Sequence, residues 1–236
     1  KMFFFEYSRS RDEEYLDWSI KIVNYLMKNM VVDDKKGRRF INWIGKNGMA
    51  KKFNGRTSIR TFAAIDVLAA LSHITRSAKY SSMIFSHLNF MDNYMYDKEL
   101  GIYYRDYNNK TGRKEQKGRP HPNLEVVEGL STLYNRTKES LFKNKAIKIL
   151  ENINKTCIRQ SKTMPEIYGK RGQTFAAPLQ FAYYCEKYHL FYDEEIVNRV
   201  IQARNTDGGW PGSLKQEISN VFVHIYMMRL VKQRKN

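Results

Sequence analysis

The stretch TFAAIDVLAALSHITRSAKYSSMIFSHLNFMDNYMYD, residues 61–97, decides the fold. Its first half is apolar, rich in Ala, and hydrophobic at helical spacing as far as Ile74. A polar turn around Arg76 follows, and then a second helical pattern. The same layout returns at residues 123–156 and 174–207. The apolar members are TFAAIDVLAALSHI, NLEVVEGLSTLYNR and TFAAPLQFAYYCEKY. Their partners are SSMIFSHLNFMDNYM, FKNKAIKILENINK and EEIVNRVIQAR. One hairpin cannot bury its own apolar face, so the recurrence predicts hairpins stacked on a shared core. Ala and Gly in the first member of each pair allow close approach and predict an inner ring.

Working outward, helices are expected at about residues 12–30, 57–75, 78–96, 123–136, 139–156, 173–188, 192–204 and 217–232. In the first, Tyr15, Trp18, Ile22, Tyr25 and Leu26 form one apolar stripe. Residues 31–54 read as a loop or short hairpin, and 97–122 as an extended arm and turn ending at Arg119-Pro120-His121-Pro122. Pro122 fits just ahead of a helix start. Three loops place Gly after Asp and then return an aromatic: Asp33 to Gly37 before Phe40, Asp97 to Gly101 before Tyr103, and Asp207-Gly208-Gly209 before Trp210.

The 236 residues suffice for one domain with a sizeable core. Hydrophobic residues make up 42%, which excludes a disordered chain. No run approaches the ~18 apolar residues of a membrane span. Cys157 and Cys185 lie on different expected helices, and no zinc-type Cys/His spacing occurs. The formal net charge of +17 favours an anionic partner. The Lys and Arg residues are scattered, without an Arg-rich helix or an aromatic RNA-binding signature, so nucleic acid is disfavoured. The 16 Tyr residues suit the lining of a cleft.

Arg204-Asn205-Thr206-Asp207-Gly208-Gly209-Trp210 resembles the repeat motif of squalene cyclases and prenyltransferases, which are α/α toroids. The Gly-Gly-Trp-Pro segment and the hairpin pattern resemble toroidal polysaccharide lyases and epimerases. The resemblance spans about residues 57–231 as a pattern. It implies an all-α chain, one α/α-toroid domain over residues 1–236, forming a partial barrel of about four hairpins with short extended insertions. The Asp-x-Asp-Asp proton donor of terpenoid cyclases has no counterpart at Asp33-Asp34 or Asp193-Glu194-Glu195. The zinc-ligand order of prenyltransferases fails as well, because Cys185 precedes Asp207 and only His224 follows.

In toroids of this kind the cleft lies where the inner helices begin. That location gathers Arg60, Arg119, Arg171 and Trp210 as ligand-binding candidates, beside Tyr103. Helix N-termini there attract anions through unpaired N–H groups. Elimination from a uronate needs a neutralised carboxylate and a base close to the carbon. Tyr104 or His121 is the candidate acid/base, with Asn123 and Arg119 on the carboxylate and Arg105 beside them. A plainer reading makes His121 a turn residue between two prolines. Glu125 and Glu128, with Asp106 or Asp66, form an alternative carboxyl set for glycoside hydrolysis. His224, on the last inner helix, is a candidate for facing the cavity. The function expected is a lyase or epimerase on an acidic glycan, with no cofactor or metal. An isoprenoid-diphosphate binder and a non-catalytic basic scaffold are the alternatives.

Overall fold

The computed structural model describes residues 6–7, 9–41, 55–115, 120–155, 176–202 and 217–235. The Asp-Gly-Gly-Trp segment therefore lies outside the described residues. Eight helices are described: α1 (Glu13–Asn29), α2 (Phe62–Thr75), α3 (Ala78–Tyr94), α4 (Pro120–Thr137), α5 (Ser140–Asn152), α6 (Ala176–Lys187), α7 (Glu195–Gln202) and α8 (Glu217–Arg234). The strands are short: β1 (Val31–Val32), β2 (Arg39–Phe40), β3 (Arg56–Ser58), β4 (Tyr96–Asp97), β5 (Ile102–Tyr103), β6 (Asp106–Asn108) and β7 (Arg113–Glu115).

Two layers of helices follow from the contacts. The pairs α2–α4, α4–α6 and α6–α8 pack side by side, while α3, α5 and α7 each back onto the helix before them. The inner layer holds the most completely buried residues, among them Ile65, Leu71, Leu124, Val127, Leu179 and Phe181, each no more than 1% exposed. Gly129 of α4 shows why small residues mark that layer. A Cβ there would fall on the ring of Phe62 at the start of α2, so the two helices approach at the one position with no side chain.

Antiparallel β1–β2 and β4–β5 are hairpins, and β3–β6–β7 forms an antiparallel three-stranded sheet. Both described Asp-to-Gly loops take the expected form. Gly37 (φ 100°) and Gly101 (φ 69°) turn in the left-handed region. Asp34 Oδ1 accepts from Lys36 N at 2.9 Å, and Asp97 Oδ1 accepts from Glu99 N at 3.0 Å. Phe40 and Tyr103 then return into the core.

Two expectations are corrected. In α1 the buried residues are Leu16, Ser19 and Val23, whereas Trp18, Ile22 and Tyr25 are 47%, 41% and 56% exposed. Ser19 can be buried because its hydroxyl donates to the Tyr15 carbonyl at 2.9 Å, leaving no polar group unpaired. Helix α4 starts at Pro120 rather than at 123. Proline is tolerated in a first helical turn, where the N–H it lacks would have no intrahelical partner.

Two polar assemblies anchor the β1–β2 hairpin to α3. Arg39 is 1% exposed and forms a two-pronged pair with Asp34, both contacts at 2.8 Å. Its Nε donates to Asn109 at 2.7 Å, and Phe90 lies under the guanidinium. His87 is fully buried; its Nδ1 accepts from Phe40 N at 3.3 Å, which leaves the proton on Nε2 to meet Thr61 Oγ1 at 3.0 Å. Thr61 in turn donates to the Ser58 carbonyl. Burial, then the nearby Arg39, pushes the His87 pKa down to about 3, and the Arg39 hydrogen bonds lower that of Asp34 to about 2.

These features generate two predictions. Gly129→Ala should cost about 1–3 kcal/mol in urea unfolding, by overpacking, and Phe62→Leu should recover part of the loss. Acid should destabilise the fold in two stages. His87 is harder to protonate folded than unfolded, so stability falls as pH drops from about 6.5 towards 3. Asp34 adds a second loss between about 3.8 and 2. Denaturant midpoints from pH 7 to 4 should show the first stage, and His87→Asn should flatten it.

Candidate active site

From Pro120 to Tyr134 the half-open positions of α4 are His121, Glu125, Glu128, Thr132 and Tyr134, and the rest are buried. The first four recur at steps of 4, 3 and 4, so they share one stripe. Helices α2, α5 and α6 cover the rest of α4. The stripe faces the space between the inner helices, because side chains from α6 and α8 reach it there.

Glu128 is where they meet. Its Oε2 accepts from Tyr226 Oη of α8 at 3.1 Å and from Gln180 Nε2 of α6 at 3.3 Å. Arg229 Nη1 stands 3.6 Å from Oε1. The guanidinium lies over the rings of Tyr226 and Tyr183, 5.2 and 5.7 Å from their centroids. Tyr184 packs edge-on to Tyr183 at 4.9 Å. Burial, then the charge of Glu128, raises the pKa values of Tyr226 and Tyr184 far above the ordinary phenol value. Tyr226 is thereby held as a donor to Glu128, which is 38% exposed and faced by the Arg229 cation. The result is an anchored carboxylate in an aromatic wall, with planar faces that suit a sugar ring.

The predicted rim residues divide. Tyr103, Tyr104 and Arg105 come to the start of α4 through Asn123. The Asn123 side chain accepts from Tyr103 N at 2.9 Å and donates to Tyr103 O at 3.0 Å, fully buried. Its amide is thus committed to the backbone of β5. Tyr103 is 2% exposed, and its hydroxyl donates to Asp92 of α3 at 2.6 Å, in the outer layer. Tyr104 is half-buried, with Lys114 Nζ 5.2 Å from its ring centroid. The Arg105 carbonyl accepts from Ile59 N at 3.0 Å, which ties it to the turn before α2. His121 lies half-open in the first turn of α4, at the head of the stripe. Arg119, Arg171, Trp210 and the side chain of Arg60 lie outside the described residues. His224 is exposed. Asp106 is buried, 3.7 Å from Arg105 Nε.

The sequence pointed to Glu128 but not to its partners. Gln180 and Tyr183 stand three apart on α6, as do Tyr226 and Arg229 on α8. In α6 the run AAPLQFAYY makes Gln180 stand out, but α8 carries many other polar residues, so nothing local singled out Tyr226 and Arg229. Among the described residues no group of His, Cys, Asp and Glu could hold a metal ion, and no helix is long and apolar enough to cross a membrane.

No protein-family model matches the chain, and no curated protein matches it. Solved structures do. The GH76A α-1,6-mannanase from Salegentibacter sp. HEL1_6 aligns with a TM-score of 0.69 at 12% identity, over 95% of this chain and 72% of that one. A possible GH105 member from Salmonella enterica serovar Paratyphi A gives 0.70 at 12%, over 98% and 69%. A polysaccharide lyase gives 0.62 at 14%, over 98% and 72%. At such identities the likeness establishes architecture. The chain is an all-α protein of the α/α-toroid fold.

The Asn123 clamp makes a prediction of its own. Asn123→Ala leaves a buried N–H and C=O of Tyr103 unpaired, and should cost about 1–3 kcal/mol in thermal or urea unfolding. A residue used only for ligand contact would leave the unfolding midpoint unchanged.

Proposed function

We propose that the protein is a glycan-active enzyme that cleaves an acidic, uronate-bearing chain in the hollow around Glu128. The observation that carries this reading is the Glu128 carboxylate, half-open on the inner ring and fixed by Tyr226, Gln180 and Arg229. The toroid neighbours, a mannanase and a polysaccharide lyase among them, support a carbohydrate substrate, and the +17 charge supports an acidic one. Hydrolysis needs a second carboxyl group. Glu125, one turn nearer the start of α4, and Asp66, in the first turns of neighbouring α2, are the candidates. Tyr183 and Tyr226 would stack on sugar rings, with Arg229 facing a uronate carboxylate.

An eliminative reading is favoured by one feature, the place of His121 on the same stripe. There His121 or Tyr104 takes the proton beside the uronate carboxylate. Arg60, Arg105, Arg119 and Arg171 would meet negative charge around the mouth, Trp210 would cover a sugar face, and Asn123 would act by holding Tyr103 in place.

Purified protein incubated with polygalacturonate should release new reducing ends. Elimination would add an ultraviolet-absorbing unsaturated product, and hydrolysis would not. Glu128→Gln should lower kcat by about 10²–10⁴-fold with the fold intact. Unchanged turnover in Glu128→Gln would remove the basis of this reading. Turnover surviving in Glu128→Gln but lost in His121→Gln would move the chemistry to the rim.

A further inference from the structure

A cavity of about 370 Å³ opens on the outer layer between α3, α5 and the β4–β5 hairpin. That volume falls within the range of small-molecule sites, roughly 300–1,000 Å³. Tyr96, Tyr103 and Leu141 supply apolar surface, and Leu141 is 57% exposed. The Tyr96 ring stands edge-on to Tyr103 at 5.4 Å and is only partly buried. The charges are unevenly spent. Asp92 is satisfied twice, by the Tyr103 hydroxyl and by Lys145. Lys148, one turn along α5 from Lys145, lines the same cavity and has no hydrogen-bond or ion-pair partner among the described residues. One carboxylate against two ammonium groups leaves a surplus positive charge beside an open aromatic face.

We infer that this groove is a second glycan-binding site, which takes an acidic sugar unit with its carboxylate on Lys148 and its ring on Tyr96. The inference rests on the acidic-glycan reading given above and extends it to the outer wall. An apolar ring face paired with one unspent cation matches a uronate, whose C–H face is apolar and whose carboxylate is the only full charge. A neutral sugar would leave Lys148 unanswered, and a flat aromatic anion would leave the sugar-like polar edge of the groove, at Asn144, unmatched. The groove lies on the outer layer while Glu128 lies on the inner one, so a long chain could be held at one place and processed at another.

The test uses the full chain, size-defined polygalacturonate and the same polymer with its carboxyl groups reduced. Lys148→Ala should weaken binding to long polygalacturonate about tenfold in calorimetry, the loss expected for a hydrogen bond to a charged group. Tyr96→Ala should weaken it comparably. The reduced polymer should bind the outer groove of neither the native protein nor the variants. Cleavage of short oligogalacturonates should be unaltered in Lys148→Ala, because they engage the hollow alone. The same loss should persist in the Glu128→Gln background, which isolates binding from turnover. Affinity for long polygalacturonate that is unchanged by both substitutions, or equal for the reduced polymer, overturns the inference. So does an absence of binding. Binding that depends on Lys148 with no cleavage by any form would instead refute the enzymatic reading and leave this site standing.

Discussion

The ring of Phe62 occupies the space a side chain at position 129 would need. Everything else in the inner layer depends on that closeness. Because α2 and α4 meet across a glycine, their buried faces can be large and aliphatic elsewhere, with Ile65 and Leu71 on one and Leu124 and Val127 on the other. Each hairpin is then completed by its neighbour rather than by itself. The stripe of α4 left open by α2 and α5 carries polar residues, and at Glu128 it meets the polar groups of Gln180, Tyr226 and Arg229. The partial exposure of Glu128 follows from which faces of α4 its neighbours cover.

A second constraint sets the rim. Irregular backbone near a helix start carries N–H and C=O groups that must be paired. The chain answers with buried polar side chains in place of longer strands. Arg39 joins the β1–β2 hairpin to Asn109 beyond β6, and His87 joins the same hairpin to the turn ahead of α2. Such networks reward complete satisfaction and punish a single missing partner. They position strands of two or three residues that would have no stability alone.

Much of the architecture was legible in the sequence because it is periodic. The hairpin repeat, the small residues of the inner helices and the Asp-to-Gly turns are local patterns, and they are present at α2–α3, at α4–α5 and at Gly37 and Gly101. The α1 stripe misled because two overlapping stripes have similar periodicity, and a self-bonded Ser19 looks polar in sequence but packs as a small residue. The site was harder to read. Glu128 could be suspected as a carboxylate close to Glu125 on an inner helix, although with α4 starting at Pro120 it stands at mid-helix. Gln180, Tyr226 and Arg229 are 52, 98 and 101 residues away from it, and only the ring brings them together. Asn123 looked like a ligand-binding residue because nothing local distinguishes an amide that meets a substrate from one that meets a distant peptide group.

That amide has a mechanical meaning. Asn123 holds the N–H and the C=O of Tyr103 at once, so the edge of β5 that does not pair with β4 is pinned at two points to the first turn of α4. Tyr104 follows directly, and Glu128 sits on the same helical rod. A force that lifts the strand must either break two shielded bonds or tilt the whole rod. The segment that carries Tyr103 and Tyr104 is therefore tied at two points to the helix that carries Glu128.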